Sequence, residues 1–316
     1  MTNKTGKSAQ KTEFQVAAFY KFSPLADIGS LQQDLRKLCE DAGLLGTILL
    51  ADEGINGTIA GSPAGVSGLF GQLQQYPGLE DIQAKFSWCE RNPFYRMKVR
   101  LKKEIVTLGV KGIDPTSQAG EYIPPENWNA LISRPDVRLV DTRNDYEVNL
   151  GSFEGAENPG THSFREFPAW VEANLGDDKE QPVAMFCTGG IRCEKSTALL
   201  KEMGFSNVYH LEGGILNYLE NIPLEDSMWQ GDCFVFDNRV TVDHDLSEGH
   251  YELCPACRMP LSEEDRQSPK FELNVSCPGC YDQLTPERRA CLEERGRQIK
   301  LAAARGEQHI GGRQKK

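Results

Sequence analysis

A multidomain architecture, partly α+β and partly α/β, is what the 316 residues predict, and three observations predict it. The length exceeds what one hydrophobic core usually serves. The apolar pattern changes character twice, from strands and helices in hairpin order, to strand–helix alternation, to short pieces. Cysteines come in two closely spaced pairs toward the C-terminus.

Hydrophobic residues at 39% and charged residues at 26% place the chain among folded proteins. No apolar run approaches the roughly 18 to 20 residues of a membrane span, so no membrane role is expected. The opening MTNKTGKSAQKTEF has lysines but no apolar stretch behind them for a secretory signal, and residues 1–12 read as a flexible tail. Ten cysteines without such a signal point to metal binding or thiol chemistry in a reducing compartment, hence to the cytoplasm. A net charge of −11 argues against an indiscriminate nucleic-acid binder and leaves that role to local basic patches.

Residues 13–112 form the first unit. FQVAAFY (14–20) is a strand, and DIGSLQQDLRKLCEDAG (27–43) sets Ile28, Leu31, Leu35 and Leu38 on one helical face between a capping Asp27 and a stopping Gly43. GTILLADEGINGTIAG (46–61) gives two strands, with Asn56-Gly57 as the hairpin dipeptide. A helix near 63–75 and strands near 82–89 and 97–108 complete a β-α-β-β-α-β order, which is that of a ferredoxin-like (acylphosphatase-like) sandwich.

After a Pro/Gly-rich boundary (112–128), residues 121–225 alternate strand and helix. VRLVDTRNDYEV (137–148) and PVAMFCTGG (182–190) are apolar strands that end in polar residues; helical FREFPAWVEANL (164–175) and CEKSTALLKEMGF (193–205) follow, and NVYHLEGGILNYL (207–219) adds a strand and helix. That alternation predicts a parallel sheet covered on both faces, with chemistry at the carboxyl ends of its strands.

The chemistry concentrates in Cys187-Thr188-Gly189-Gly190-Ile191-Arg192-Cys193. Two glycines let the backbone curl so that successive N–H groups converge, and the helix that follows adds its positive end at the same point. Such a cradle brings a cysteine from ~8.5 into the ~3.5 to 7.5 range, ionised at neutral pH; Arg192 adds a cation at the rim, and the same donors suit a persulfide. Cys193 is either a resolving thiol or a packing residue. Asp141 and Arg143, at the end of the preceding strand, either orient the loop or form a structural salt bridge.

DTRNDYEVNLGSFEGAENP (141–159), MFCTGGIRCEKS (185–196) and VYHLEGGILNYL (208–219) resemble the signature stretches of a rhodanese domain, which implies that Cys187 carries the reactive sulfur. Cysteine phosphatases resemble rhodaneses but use a wider Cys-x5-Arg loop; the Cys-x4-Arg spacing here fits sulfur better than a phosphoryl group. With ADEGINGTIAG (51–61) and FYRMKVRLKKEIVTLG (94–109) ahead and GDCFVFDNRVTV (231–242) behind, the chain resembles over roughly 14–285 the oxygen-dependent tRNA uridine hydroxylase family. The resemblance implies a tRNA-modifying monooxygenase that uses dioxygen to form 5-hydroxyuridine at the wobble position, with Cys187 essential. The alternative is a persulfide sulfurtransferase acting on an RNA or protein acceptor; a non-catalytic RNA-binding adaptor is a third reading, against which the intact loop counts.

An RNA partner has its own support. Arg91, Arg96, Lys98, Arg100, Lys102, Lys103 and Lys111 cluster beside Phe94 and Tyr95, and Lys98, Arg100 and Lys102 share a face by strand alternation. Phosphates bind such a stripe and aromatics stack on unpaired bases, although lysines also guard edge strands. Arg288, Arg289, Arg295, Arg297, Lys300, Arg305, Arg313, Lys315 and Lys316 form a second basic region, either a further RNA contact or a solubilising tail.

Within 226–316, Cys254-Pro-Ala-Cys257 and Cys277-Pro-Gly-Cys280 are two C-x2-C knuckles that predict a structural zinc site, with unmetallated thiols or an iron–sulfur ligand set as alternatives. The five histidines, His162, His210, His244, His250 and His309, show no ligand spacing. No dinucleotide fingerprint or two-His-one-carboxylate pattern is found, and no flavin, haem or nicotinamide is expected.

Overall fold

The computed structural model describes residues 14–307, so the tail expected at 1–12 and His309, Arg313, Lys315 and Lys316 lie outside the described residues. The first unit runs β1 (Phe14–Phe22), α1 (Ile28–Asp41), β2 (Leu45–Ala51), β3 (Gly54–Gly61), α2 (Pro63–Leu73), β4 (Ala84–Cys89) and β5 (Met97–Leu101). Its sheet has the order β4-β1-β3-β2-β5. The first four strands pair antiparallel as the ferredoxin-like order requires, and β5 is an addition, parallel to β2.

Local chemistry fixes the helices. Asp27 accepts from Ser30 N to open α1, and Ser62 accepts from Gly65 N to open α2, whose Pro63 has no amide to lose. Leu31, Leu35 and Cys39 of α1 and Val66, Leu69, Phe70 and Leu73 of α2 bury against Phe19, Ile48, Ile55 and Ile59 of one sheet face. The opposite face, carrying Tyr20, Asn56 and Lys98, is free of these helices.

Two details differ from the sequence reading. The hairpin between β2 and β3 turns at Asp52-Glu53, and Asn56-Gly57 lies inside β3. Gly57 is there because it lies under the Phe19 ring, where a Cβ would stand 2.6 Å from Cζ, while Asn56 Nδ2 donates to Ile105 O at 2.9 Å. The last strand stops at Leu101: beyond it Glu53 Oε1 accepts from Ile105 N and the Glu104 carboxylate from Leu108 N, so carboxylates replace the ladder.

The second unit runs α3 (Pro115–Gln118), β6 (Glu121–Ile123), α4 (Pro125–Ile132), β7 (Arg138–Asp141), α5 (Asp145–Val148), β8 (Gly151–Phe153), α6 (Phe167–Asn174), β9 (Val183–Phe186), α7 (Ile191–Glu202), β10 (Val208–Leu211) and α8 (Gly214–Asn221). The parallel sheet has the order β6-β10-β9-β7. Central β9 is buried throughout: Val183 and Met185 pack with α6 and α7, Ala184 and Phe186 with α4 and α8. Both faces are thus covered, as the continuous apolar run VAMF requires.

The third segment begins by completing the second core. β11 (Trp229–Gly231) pairs antiparallel with β8, and Trp229, Cys233, Val235 and Val242 pack with Phe153 and Phe186; β12 (Cys233–Phe234) and β13 (Thr241–Val242) form a strap. Then β14 (Glu252–Leu253), β15 (Pro260–Leu261) and α9 (Glu263–Gln267) surround the cysteine knuckles, and α10 (Pro286–Ala304) follows, capped by Thr285. No helix among the described residues is long and apolar enough to cross a membrane.

Candidate active site

The turn between β9 and α7 places Cys187 at the carboxyl end of the central strand. Gly190 has φ 100°, which turns its amide back toward the sulfur, and Gly190 N donates to Cys187 Sγ at 3.1 Å. The amides of Arg192 and Cys193 and the Cys193 thiol favour its charged form as well. Burial alone would push the thiol up; the Cys193 hydrogen bond, the Arg192 charge and the two amides outweigh it and bring Cys187 down from 9.0 to about 6. The sulfur is buried, at 1% exposure, but in polar company rather than hydrocarbon.

The loop is braced from α8. Ile215 N donates to Cys187 O at 2.9 Å and Leu216 N to Thr188 O at 3.1 Å. Gly214 permits that approach, since a Cβ there would stand 2.4 Å from Cys187 O. Gly189 meets nothing within 4 Å, whereas Gly190, Gly213 and Gly214 are all glycines that close contact demands here.

Arg192 differs from the cation expected at the rim. It is buried, and its Nη1 and Nη2 donate to Glu147 Oε2 and Oε1 at 2.9 and 2.8 Å. The pair is held from below: Arg143 forks onto Asp141 and donates to Glu147 O at 3.2 Å and Gly151 O at 2.6 Å. Asp141 and Arg143 make no hydrogen bond to residues 187–192 among the described residues; they fix the segment that presents Glu147. Between them Thr142 donates to Phe186 O and lies 3.7 Å from Cys193 Sγ. Cys193 is buried, and burial followed by the neighbouring Cys187 pushes it well up, so it stays a protonated donor to the ionised sulfur.

The first unit closes over this loop. Tyr20 Oη donates to Glu194 Oε1 at 2.9 Å and would stand 2.8 Å from a Cβ on Gly190. Tyr122 Oη donates to the other oxygen of Glu194, whose carboxyl is pushed up by burial. Lys85 of β4 donates to Gly213 O; burial draws its ammonium down to about 8, against the pull of Cys187. Lys195 bridges to Glu53 at 2.9 Å and Glu104 at 2.7 Å.

On the face of the first sheet away from α1 and α2, Lys98 and Arg100 pair with Thr47 and Leu49, on the side opposite buried Val99. Burial and the charges of Arg96, Arg100 and Arg258 push the Lys98 ammonium down. Arg96, Lys98, Arg100, Lys102 and Arg258 enter no ion pair among the described residues, an unusual gathering in an acidic protein. The second basic region is partly neutralised: Arg289 pairs with Glu272, Arg297 with Glu294 and Arg305 with Glu307.

Cys254, Cys257, Cys277 and Cys280 bring four sulfurs within 4.8 Å of one another. The 254–280, 257–277 and 277–280 separations are 3.9, 3.6 and 3.7 Å. A tetrahedron with metal–sulfur bonds of ~2.3 Å has an edge of about 3.8 Å, so the four thiols fit a metal ion with no position left open. Arg258, at φ 66°, follows the first knuckle and donates its amide to Cys254 O at 2.9 Å.

The profile of the UPF0176 acylphosphatase like domain matches residues 14–105, and that of the rhodanese-like domain matches 125–221. A Teredinibacter turnerae protein named tRNA uridine(34) hydroxylase is 55% identical over 302 residues, spanning 96% of this chain and 94% of its own length. A Brucella anthropi protein of the same name is 56% identical over 299 residues, spanning 94% and 98%. This chain belongs to the tRNA uridine(34) hydroxylase family. The solution structure of a rhodanese-like domain from Anabaena sp. covers 35% of this chain and 78% of its own, at 17% identity and a TM-score of 0.30.

Membership in the hydroxylase family bears out the resemblance seen in the three rhodanese-like stretches and their flanks. What the sequence reading missed is what lies far from Cys187 along the chain: Tyr20, Lys85, Tyr122, Glu147 and Arg258. Glu147 becomes recognisable only once Arg192 is known to be buried, since a buried arginine demands an acidic partner. Tyr20 and Lys85 sit on ordinary-looking strands, and nothing local marks them.

Proposed function

We propose that this protein hydroxylates the wobble uridine of tRNA to 5-hydroxyuridine, with Cys187 as the reacting sulfur and dioxygen as co-substrate. The observation that carries the reading is the Cys187 sulfur held in its backbone cradle, with Gly190 N donating to it at 3.1 Å, within a family whose relatives bear the hydroxylase name. Uracil C5 is a poor carbon for oxygenation until C6 gains an electron donor. Addition of the thiolate to C6 forms the S–C6 bond and moves the C5=C6 pair onto C5 and O4, so that C5 bonds one oxygen atom of dioxygen; a two-electron donor of the thiol class, with two protons, takes the other atom off as water, and loss of the C5 proton then restores C5=C6 as the S–C6 bond breaks and the thiolate leaves. Cys193, Arg192 and the amides of the loop hold the sulfur ionised before attack and receive it again on release.

In this reading Arg96, Lys98, Arg100 and Lys102 take the RNA phosphates, and Arg258 joins them from the cysteine knuckle. The four-cysteine cluster holds zinc as a structural ion; that ion supplies folding energy to a small segment. We divide the chain into residues 13–112, 121–225 and 226–316, with the first part of the last segment docked on the second core, and place the protein in the cytoplasm with its tRNA.

The test is incubation of purified protein with unmodified tRNA under air and under argon, followed by nucleoside mass analysis. An air-dependent gain of one oxygen is expected. A gain of sulfur, or thiocyanate from thiosulfate and cyanide alone, would instead establish the persulfide transferase.

A further inference from the structure

The strap at 231–242 is built with more force than its length needs. Asp237 and Arg239 form a buried bidentate pair at 2.9 and 2.6 Å, and Arg239 Nη1 also donates to Ser87 Oγ of β4 at 2.8 Å. Asn238 N donates to Pro93 O at 3.0 Å, which ties the strap to the first unit a second time. Val240 is buried at φ 66°, a left-handed conformation that a β-branched residue adopts only when its surroundings impose it. On the other side Thr188 Oγ1 of the Cys187 loop faces Phe234 O at 3.5 Å.

Within 232–242 a single residue is exposed, and it is Phe236, at 58%. Its ring is not loose. It meets Phe234 edge-on at 5.1 Å, Phe234 meets Tyr146 at 5.2 Å, and the Arg192 guanidinium lies over the Phe236 ring at 5.6 Å. Arg192 is the same side chain that holds the Cys187 thiolate by charge. One phenyl ring on a surface is ordinary. A phenyl ring fixed by a strained, ion-paired strap, backed by a cation and set at the rim of the reactive loop presents a flat apolar face to whatever reaches the sulfur.

We propose that Phe236 is the stacking platform for an unpaired RNA base flanking the uridine that reaches Cys187. The proposal rests on the RNA reading above and deepens it by naming the group that sets the register of the loop. Every base has a π face, so one ring positions the strand without choosing its sequence, and the adjacent nucleotide is then directed to the sulfur. Phe236 is a positioning residue: the strap and Arg192 aim it, and it takes no part in bond changes.

The experiment uses the full chain and a hairpin RNA carrying an anticodon stem-loop with a wobble uridine. Binding is read by fluorescence anisotropy in the Cys187→Ser background, and turnover by nucleoside mass analysis in the otherwise native protein. Phe236→Ala is expected to raise Kd and KM about tenfold with kcat within about twofold, and Phe236→Trp is expected to restore both and to show tryptophan quenching when RNA binds. Hairpins made abasic at either neighbour of the uridine complete the test: at one of them the Phe236→Ala penalty disappears. Equal Kd for Phe236→Ala and the parent, no rescue by Phe236→Trp, or a penalty that persists on both abasic hairpins would each overturn the proposal. If the native protein adds no oxygen to the RNA, the hydroxylase reading fails, while the binding arm still decides whether Phe236 stacks on a base.

Discussion

Two sets of cysteines in this molecule sit in turns lined by backbone amides, and they do opposite things. At residue 187 one sulfur accepts from the Gly190 amide and is favoured as an anion by the amides of Arg192 and Cys193, a protonated neighbour and an arginine whose charge Glu147 balances. At 254–280 four sulfurs converge within 4.8 Å, where ionising them together without a metal would be prohibitive. What separates a reactive cysteine from a metal ligand is therefore the partner: a single sulfur facing donors is left reactive, and sulfur facing sulfur needs a cation.

The largest effect expected of that difference is on turnover. Cys187→Ser removes the nucleophile, and oxygen incorporation into tRNA is predicted to fall below detection while bound metal, measured by elemental analysis, stays unchanged. Cys277→Ser should do the reverse to the metal, abolishing stoichiometric zinc and unfolding the segment around 252–283, since structural zinc contributes ~10 to 16 kcal/mol to such small units. Protection of that segment in hydrogen exchange reads the outcome.

A smaller effect is expected at the balanced arginine. Glu147→Gln leaves Arg192 buried without its counter-ion and is predicted to cost ~3 to 5 kcal/mol in denaturant unfolding. Glu147→Gln together with Arg192→Met should recover part of that stability without recovering activity. Smaller still is the contribution of the open cations: Lys98→Ala or Arg100→Ala should weaken tRNA binding uniformly across tRNA sequences and reduce the slope of log affinity against log salt by about one each.

The comparison also explains how much could be read in advance. The Cys187 loop and the cysteine knuckles are local: each is a few residues long, and glycine or proline between cysteines already states the turn. The ferredoxin-like order and the parallel sheet followed from apolar periodicity for the same reason. The Asn56-Gly57 dipeptide misled because its local meaning, a hairpin turn, yielded to a tertiary one: Phe19 needs a residue without a side chain beneath its ring. Tyr20 and Lys85 were illegible because their significance arises only when β1 and β4 of one unit are laid against α7 and Gly213 of another. Arg192 was correctly placed beside Cys187 and wrongly pictured at the rim, because the groups that take it inward, Glu147 and the Phe236 ring, lie far from it along the chain.

The central claim is that the sulfur of Cys187 is ionised at neutral pH. Thiolate absorbance near 240 nm, recorded from about pH 4 to about pH 10 as the difference between the native protein and Cys187→Ser, measures it without an alkylating reagent. The sign follows from the structure: the cradle stabilises the charged form, so the absorbance step is predicted near pH 6, moving up in Cys193→Ala, which removes a donor. A step at or above the ordinary value of 9.0, unmoved by Cys193→Ala, would contradict the account.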